Sequence, residues 1–257
     1  MSLPPGTRRS DPYGSTRTSV HPRHALLTAD GIVPSALPGW TNAACYVTIS
    51  PTMGSRFSQL RVEMGAEGTG EGSTEGHQMM VYVLSGTLAV ETKTPHSTKH
   101  RLRAGGFIYL PPGTAYHVAA NEPGTNILIF DKAYHVLAGV SAPNILAGRE
   151  QDVTGTPFLG DPAAMLQVLL PDTAGFDMAV NVFKYAPGAT LPFVETHIME
   201  HGLLMLAGEG IYRLEEHWYP VRAGDAIWMA PYCPQWFVAT GKEPASYIYY
   251  KDINRWP

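Results

Sequence analysis

The chain has 257 residues, 44% of them hydrophobic and 16% charged, with a formal net charge of −4. That balance is the one expected of a soluble folded protein, and the length allows one large domain or two of ordinary size. A negative balance with no Lys/Arg cluster removes the electrostatic case for nucleic acid, and no apolar run reaches the length of a membrane span.

The 26 Gly and 22 Pro are spread along the chain, punctuating many short segments, which predicts an all-β protein. Cys45 and Cys233 are the only cysteines, too few for a thiolate-rich zinc site. Reduced thiols in a cytoplasmic setting are expected. Met1 to Ala25 carries Arg8, Arg9, Arg17 and Arg23 but no apolar run of signal-peptide length.

In chain order, residues 1–36 read as an extended arm rich in Pro, Ser, Thr and Arg, within which His24 to Gly31 is patterned to lie against the body. Short β-type runs then follow at Tyr46 to Ile49, Phe57 to Met64, Met79 to Leu84, Thr87 to Thr92, Phe107 to Leu110 and Asn126 to Phe130. The stretch Ala133 to Pro157 reads as mixed helix and loop. The β pattern resumes at Met165 to Leu170, Met178 to Tyr185, Gly202 to Leu206, Gly210 to Leu214, Ala226 to Met229 and Ser246 to Tyr250.

The two series match each other. Val81-Tyr-Val-Leu-Ser-Gly-Thr-Leu has the form of Leu203-Leu-Met-Leu-Ala-Gly-Glu-Gly, an apolar strand, a Gly turn and a second strand. Ala104-Gly-Gly-Phe-Ile-Tyr-Leu-Pro-Pro matches Ala223-Gly-Asp-Ala-Ile-Trp-Met-Ala-Pro. Both pairs lie about 120 residues apart, so the chain is an internal duplication of a domain-sized unit. The expected division is an arm over 1–36, a first barrel over 37–140 and a second over 141–257.

Chemistry concentrates in Glu195-Thr-His197-Ile-Met-Glu-His201-Gly. On a regular strand Glu195, His197 and His201 fall on one face, because each pair is separated by an even number of residues. A fourth donor is available where the run from Gly224 ends in a Pro-rich turn and re-enters at Gln235-Trp-Phe-Val.

These segments resemble the two motifs of the cupin superfamily, G(x)5HxH(x)3–4E(x)6G and G(x)5PxGxxH. Glu195 and His197 stand at the HxH, His201 at the Glu position and Gly208 at the closing glycine. In the second motif Gly224 opens, Ala230 stands at the Pro position, Tyr232 at the Gly position and Gln235 at the final His. Gly188 sits one residue further from the ligand pair than the pattern prescribes, which implies an extra loop residue. The resemblance implies two tandem cupin (jelly-roll) barrels, a bicupin, with a metal held in the second by Glu195, His197, His201 and Gln235. One carboxylate, two imidazoles and one amide suit Mn²⁺, Fe²⁺ or Zn²⁺, and the two oxygen donors favour manganese.

The first copy acts as an internal control. Counting back from Gly86 puts Ser73, Glu75 and Met79 at the three first-motif positions, and the second motif ends on Tyr116. That set is no metal site. His77 and His117 are out of register and expected outside the barrel, unless a strand slip turns them inward.

Gly175-Phe-Asp-Met, Ala186-Pro-Gly-Ala, Gly208-Glu-Gly-Ile-Tyr212-Arg-Leu and Tyr247-Ile-Tyr-Tyr-Lys251-Asp extend the resemblance to one family, the (S)-ureidoglycine aminohydrolases. It implies a hydrolase that releases ammonia from (S)-ureidoglycine to give (S)-ureidoglycolate in allantoin and purine catabolism, with manganese as cofactor. It also implies active-site roles for Tyr212, Tyr247, Lys251 and Glu195. Lys251 would pair the substrate carboxylate or shuttle a proton, Glu195 would be a ligand and a proton acceptor, and the tyrosines would orient the ureido group. The expected partner is a small-molecule substrate, and exposed sheet edges lead to the expectation of a homo-oligomer. Two other classes remain open at this point, an iron-dependent cupin dioxygenase and a non-catalytic storage or binding bicupin. Cys233, Trp228 and Trp236 read as packing or pocket wall.

Overall fold

The computed structural model describes residues 16–93 and 96–255. Among these there is no α-helix, only three short 3-10 turns at Ala29–Gly31, Pro51–Met53 and Glu150–Asp152. The helical part of the expectation for Ala133 to Pro157 is therefore corrected. Leu146–Arg149 in that stretch instead pairs antiparallel with Gly106–Leu110, whose free edge supplies its backbone partners.

The first half folds into one nine-stranded sheet curled into a barrel. Its closure rests on the 16-residue strand Ser58–Ser73. The front of that strand pairs with Thr125–Ala133 and its end with Ala115–Ala120, so one strand passes from one wall to the other. The second half builds an eight-stranded sheet facing a three-stranded one, His217–Arg222, Glu209–Leu214 and Gln235–Ala239. Met178–Tyr185 and Ala226–Met229 fall where the apolar runs predict them, and Ala245–Asp252 is two residues longer at its C-terminal end. Several strands escaped the sequence reading, such as Thr98–Arg103, which buries Leu102 alone, and His217–Arg222, where Pro220 interrupts the pattern and Tyr219 and Val221 are the buried residues.

The arm crosses to the far barrel. His24–Leu27 is buried at all four residues and extends the eight-stranded sheet antiparallel to Ala226–Met229, with Ala25 opposite Trp228. Arg17 fixes it with two 2.8 Å hydrogen bonds to the Asp225 carboxylate, a fork geometry that lysine cannot copy.

Three buried clusters organise the packing. One fills the first barrel and is apolar throughout, including Val62, Met64, Val81, Leu88, Ile108 and Ile129. A second fills the second barrel and is rich in aromatic rings. The third lies between them, where Phe57 stacks on Tyr250 at 4.0 Å beside Phe130 and Trp228. Gly202 is required at this join: a Cβ there would lie 2.2 Å from the Phe57 ring. The buried Asp177 carboxylate beside the join takes the Lys132 ammonium at 2.7 Å and the His135 amide at 2.8 Å, with Gln78 as a third donor. A charge so deeply buried is tolerable only when its lone pairs are matched in this way.

Candidate active site

The second barrel's interior wall is set by strand register. Along Ala245–Asp252, Lys251 lies opposite His201, Tyr249 opposite Leu203 and Tyr247 opposite Met205. Residues directly opposed on antiparallel strands present their side chains to the same face, and alternate residues share it. Tyr247 and Tyr249 pack in the cluster that fills the second barrel, whereas Ile248 and Tyr250 between them pack at the join between barrels, which makes the tyrosine face the inside. Lys251 accordingly belongs to the inner face, at the half-buried end of the row.

Glu195, His197 and His201 do reach one cavity, but not along a single regular strand. Residues 191–200 form a loop with only an isolated bridge, and the strand begins at His201. Pro192 cannot donate to a ladder, and this breaks the pairing that simple alternation assumes. Each donor is instead placed separately. The Glu195 and Gln235 backbones exchange hydrogen bonds of 2.8 and 2.9 Å, which turns both side chains the same way. The His197 carbonyl accepts from the Tyr232 amide at 2.7 Å. Tyr232 has φ +61°, so it keeps the left-handed backbone of the glycine that the second motif prescribes, and Gly113 has φ +79° in the first barrel.

The histidine tautomers follow from their outer partners. Nδ1 of His197 faces the Met199 carbonyl at 3.2 Å, and Nδ1 of His201 faces the Tyr250 carbonyl at 3.2 Å. A carbonyl accepts only, so both Nδ1 atoms carry the proton and both Nε2 atoms are lone-pair acceptors. Those two Nε2 atoms stand 3.0 Å apart, with the Gln235 amide 2.9 Å from His197 Nε2. Two lone pairs aimed at each other call for a cation between or beside them, which is the fit expected of a divalent metal. Turning the Gln235 amide end for end would add its oxygen to the set. In the orientation shown that oxygen accepts from the Tyr212 hydroxyl at 3.2 Å.

Burial sets the electrostatics. It drives His201 well below the usual imidazole range, helped by His197, and lowers His197 as well, so both rings are neutral and competent as ligands. Burial raises the Glu195 carboxyl while Lys251 pulls it back. Burial also holds Tyr212 and Tyr247 far above the phenol range, leaving them as hydroxyl donors, with Tyr247 linked to Tyr185 at 2.9 Å. Glu195 stands back from the imidazoles. Among the described residues the group of three His, Cys, Asp or Glu with all ligand atoms within 4.8 Å is His21, His24 and His217, elsewhere in the barrel.

The cavity measures about 190 Å³, and Glu195, His197, His201, Tyr212, Gln235, Tyr247 and Lys251 all line it. Sequence reasoning did not include Tyr249, whose hydroxyl accepts from Asn181 at 3.1 Å and is free to donate its proton into the cavity. Its place two residues from Tyr247 on the same face was the signal that could have found it. Phe158 and Phe183, ring centroids 4.9 Å apart, form an apolar wall that no motif announced. Cys233 is packing: it is buried, and burial pushes its thiol to about 11. Trp228 belongs to the join between barrels, where its indole donates to Glu200 at 2.8 Å.

Among the described residues, the first barrel brings no such set together. Met79 and Tyr116 pack in its apolar core, Ser73 and Glu75 are exposed, and His77 sits outside, 2.8 Å from Asp131.

Two duplicated jelly-roll barrels, one with an apolar interior and one with a donor-lined cavity, define a bicupin. The cupin-domain family model matches residues 181–250 and the EutQ-like cupin-domain model residues 55–134. The chain is 35% identical to the (S)-ureidoglycine aminohydrolase of Arabidopsis thaliana, over 95% of this chain and 80% of that protein. It is 33% identical to the enzyme of the same name from Escherichia coli K12, over 96% of this chain and 95% of that one. The crystal structure of protein Ylba from E. coli superposes with a TM-score of 0.84 at 31% identity, covering 94% of this chain and 96% of that one. An oxalate decarboxylase from Lactobacillus farciminis, at TM-score 0.71 and 11% identity over 93% of this chain and 88% of that one, shares the fold alone. The chain belongs to the (S)-ureidoglycine aminohydrolase family.

Proposed function

We propose that this chain hydrolyses (S)-ureidoglycine to (S)-ureidoglycolate and ammonia, with a divalent metal, manganese by preference, held by His197, His201, Gln235 and Glu195. The observation that carries the reading is the pair of neutral imidazole Nε2 atoms 3.0 Å apart in a cavity that also receives Lys251 and Glu195. When bound, the ion would anchor the substrate through its carboxylate and a neighbouring heteroatom, fixing the face open to water.

The remaining work falls to the chain's own groups. The amine leaves protonated and the incoming water gives up a proton, so the site needs both a donor and an acceptor. Lys251, opposite His201 at the half-buried end of the tyrosine row, offers a cation for the substrate carboxylate and a proton for the amine. Glu195, with its carboxyl raised by burial, is suited to take the proton from water. Tyr212 and Tyr247, locked by hydrogen bonds to Gln235 and Tyr185, hold rigid hydroxyls against the ureido group. The wall of Phe158 and Phe183 limits access of bulk water. The dioxygenase and storage readings fall behind because the curated relatives are aminohydrolases. A homo-oligomer working in a reducing, cytoplasmic compartment completes the reading, in keeping with two buried free thiols.

The test generates (S)-ureidoglycine in situ from allantoate with its amidohydrolase and determines the configuration of the product. Enantiopure (S)-ureidoglycolate, with faster ammonia release than without this protein, is expected. Racemic product at an unchanged rate would overturn the proposal.

A further inference from the structure

The geometry points to a second divalent-cation site, outside the barrel cavity, in which His21, His24 and His217 bind Zn²⁺ and pin the N-terminal arm to the second barrel. Their ligand atoms all lie within 4.8 Å of one another, which the barrel set of Glu195 and the two histidines does not achieve. The ring centroids of His21 and His217 are 4.4 Å apart and those of His21 and His24 4.5 Å. The donors come from two pieces of chain far apart in sequence. His21 and His24 belong to the arm, while His217 opens the strand His217–Arg222 of the three-stranded sheet.

The surroundings have the form of an outer ligand shell. The His24 Nδ1 atom faces the Glu215 carboxylate at 3.2 Å, and a carboxylate in that position fixes the proton there and leaves Nε2 as the lone-pair atom. His21 engages the Ser19 hydroxyl through Nε2 at 3.0 Å, which holds its ring in place beside the other two. The Tyr219 hydroxyl stands 2.9 Å from His24 Nε2, where it would yield to the ion or bond a water upon it. Arg23 shares Glu215, with Nε 3.2 Å from Oε1, so the carboxylate is already half-neutralised and acts as an orienter rather than a ligand.

Three imidazoles without a thiolate match the nitrogen preference of Zn²⁺, with copper and nickel as chemical competitors. His24 is wholly buried, His21 half-buried and His217 exposed, which gives the ion an entry path from one side. A cation there would join the arm strand to the hairpin directly, adding to the Arg17–Asp225 ion pair. The site is independent of the barrel chemistry, since none of its three histidines lines the cavity.

The test uses untagged full-length protein stripped with a chelator, then titrated with Zn²⁺ by calorimetry and measured for bound zinc after desalting. Against a background of His197→Ala and His201→Ala, which removes the barrel donors, one equivalent of zinc per chain is expected to remain. Adding His217→Ala, or separately His21→Gln, is expected to abolish it. In the otherwise unaltered protein, zinc should slow tryptic cleavage after Arg17 and Arg23 at least tenfold, and His217→Ala should erase that protection. Equal zinc uptake with and without His217, or cleavage rates indifferent to zinc, would overturn the inference.

Discussion

Arg56 of the first barrel places its Nη2 atom 2.8 Å from Oδ2 of Asp252 in the second barrel, an ion pair whose angle lies outside hydrogen-bond geometry. The same arginine reaches Glu200 with its Nε at 3.4 Å and its backbone amide at 3.0 Å. Glu200 precedes His201 and Asp252 follows Lys251, so a residue of the first barrel braces both neighbours of the proposed chemistry. Burial raises both carboxyls, and Arg56 pulls each back.

Arg56→Ala should therefore leave two buried carboxylates without their cation. Arg56 is itself 32% exposed, so the loss sits at the low side of that for a broken buried pair, roughly 2–3 kcal/mol. Urea denaturation checks the stability, and a parallel fall in kcat with KM little changed would show that the brace positions His201 and Lys251. Unchanged stability and kcat would mean that the two carboxylates hold themselves.

His201→Ala removes one of the proposed manganese ligands and should abolish manganese binding while leaving the fold intact. Manganese content after desalting would drop to background, and circular dichroism would match the parent protein. Chelation of the parent should abolish ammonia release, and Mn²⁺ should restore it. Full activity in chelated, metal-free protein would refute the metal role.

Lys251→Met should separate chemistry from metal binding. Loss of a proton donor and substrate cation predicts a fall in turnover of about 100-fold or more. Manganese content should stay at the parent level, because the proposed ligand set does not include Lys251. Parent-like turnover would remove Lys251 from the mechanism.

Gly202→Ala inserts a methyl group 2.2 Å from the Phe57 ring and 2.8 Å from Ile49 Cδ1. Overpacking at a join between barrels should destabilise the protein by about 1–3 kcal/mol, visible as a lower Tm. A variant as stable as the parent would show that the barrels can part slightly.

Cys233, with its thiol pushed up to about 11 by burial, and Cys45, raised by the same cause, should resist thiol reagents at pH 8 in the native state. A raised thiol pKa depletes the thiolate at neutral pH, so the labelling rate should climb as pH rises toward 11. Two equivalents should label on unfolding, and rapid native labelling of either would contradict the buried placement.

The apolar runs and their Gly turns were enough to show a duplicated all-β chain, because strand alternation and turn chemistry are local. The same runs placed Met178–Tyr185 and Ala226–Met229 at their observed limits. Glu195, His197, His201 and Gln235, which line one cavity, were legible as candidate donors for a related reason: their types and spacing survive in the sequence whatever the backbone does between them. The route was less legible. Alternation carried Glu195 and His201 along one strand, whereas Pro192 breaks it, and the Gln235 backbone and the Tyr232 amide place the loop instead.

What the sequence by itself determined was the duplication and the donor-type residues that set the second barrel apart from the first, which are properties of residue order. Only the tertiary structure decided which face of Tyr247, Tyr249 and Lys251 is the inside, since parity is symmetric until a partner strand breaks it. It also decided where the arm docks and that Arg56 reaches across to Asp252. Those contacts join residues about 200 positions apart, and only packing brings them together.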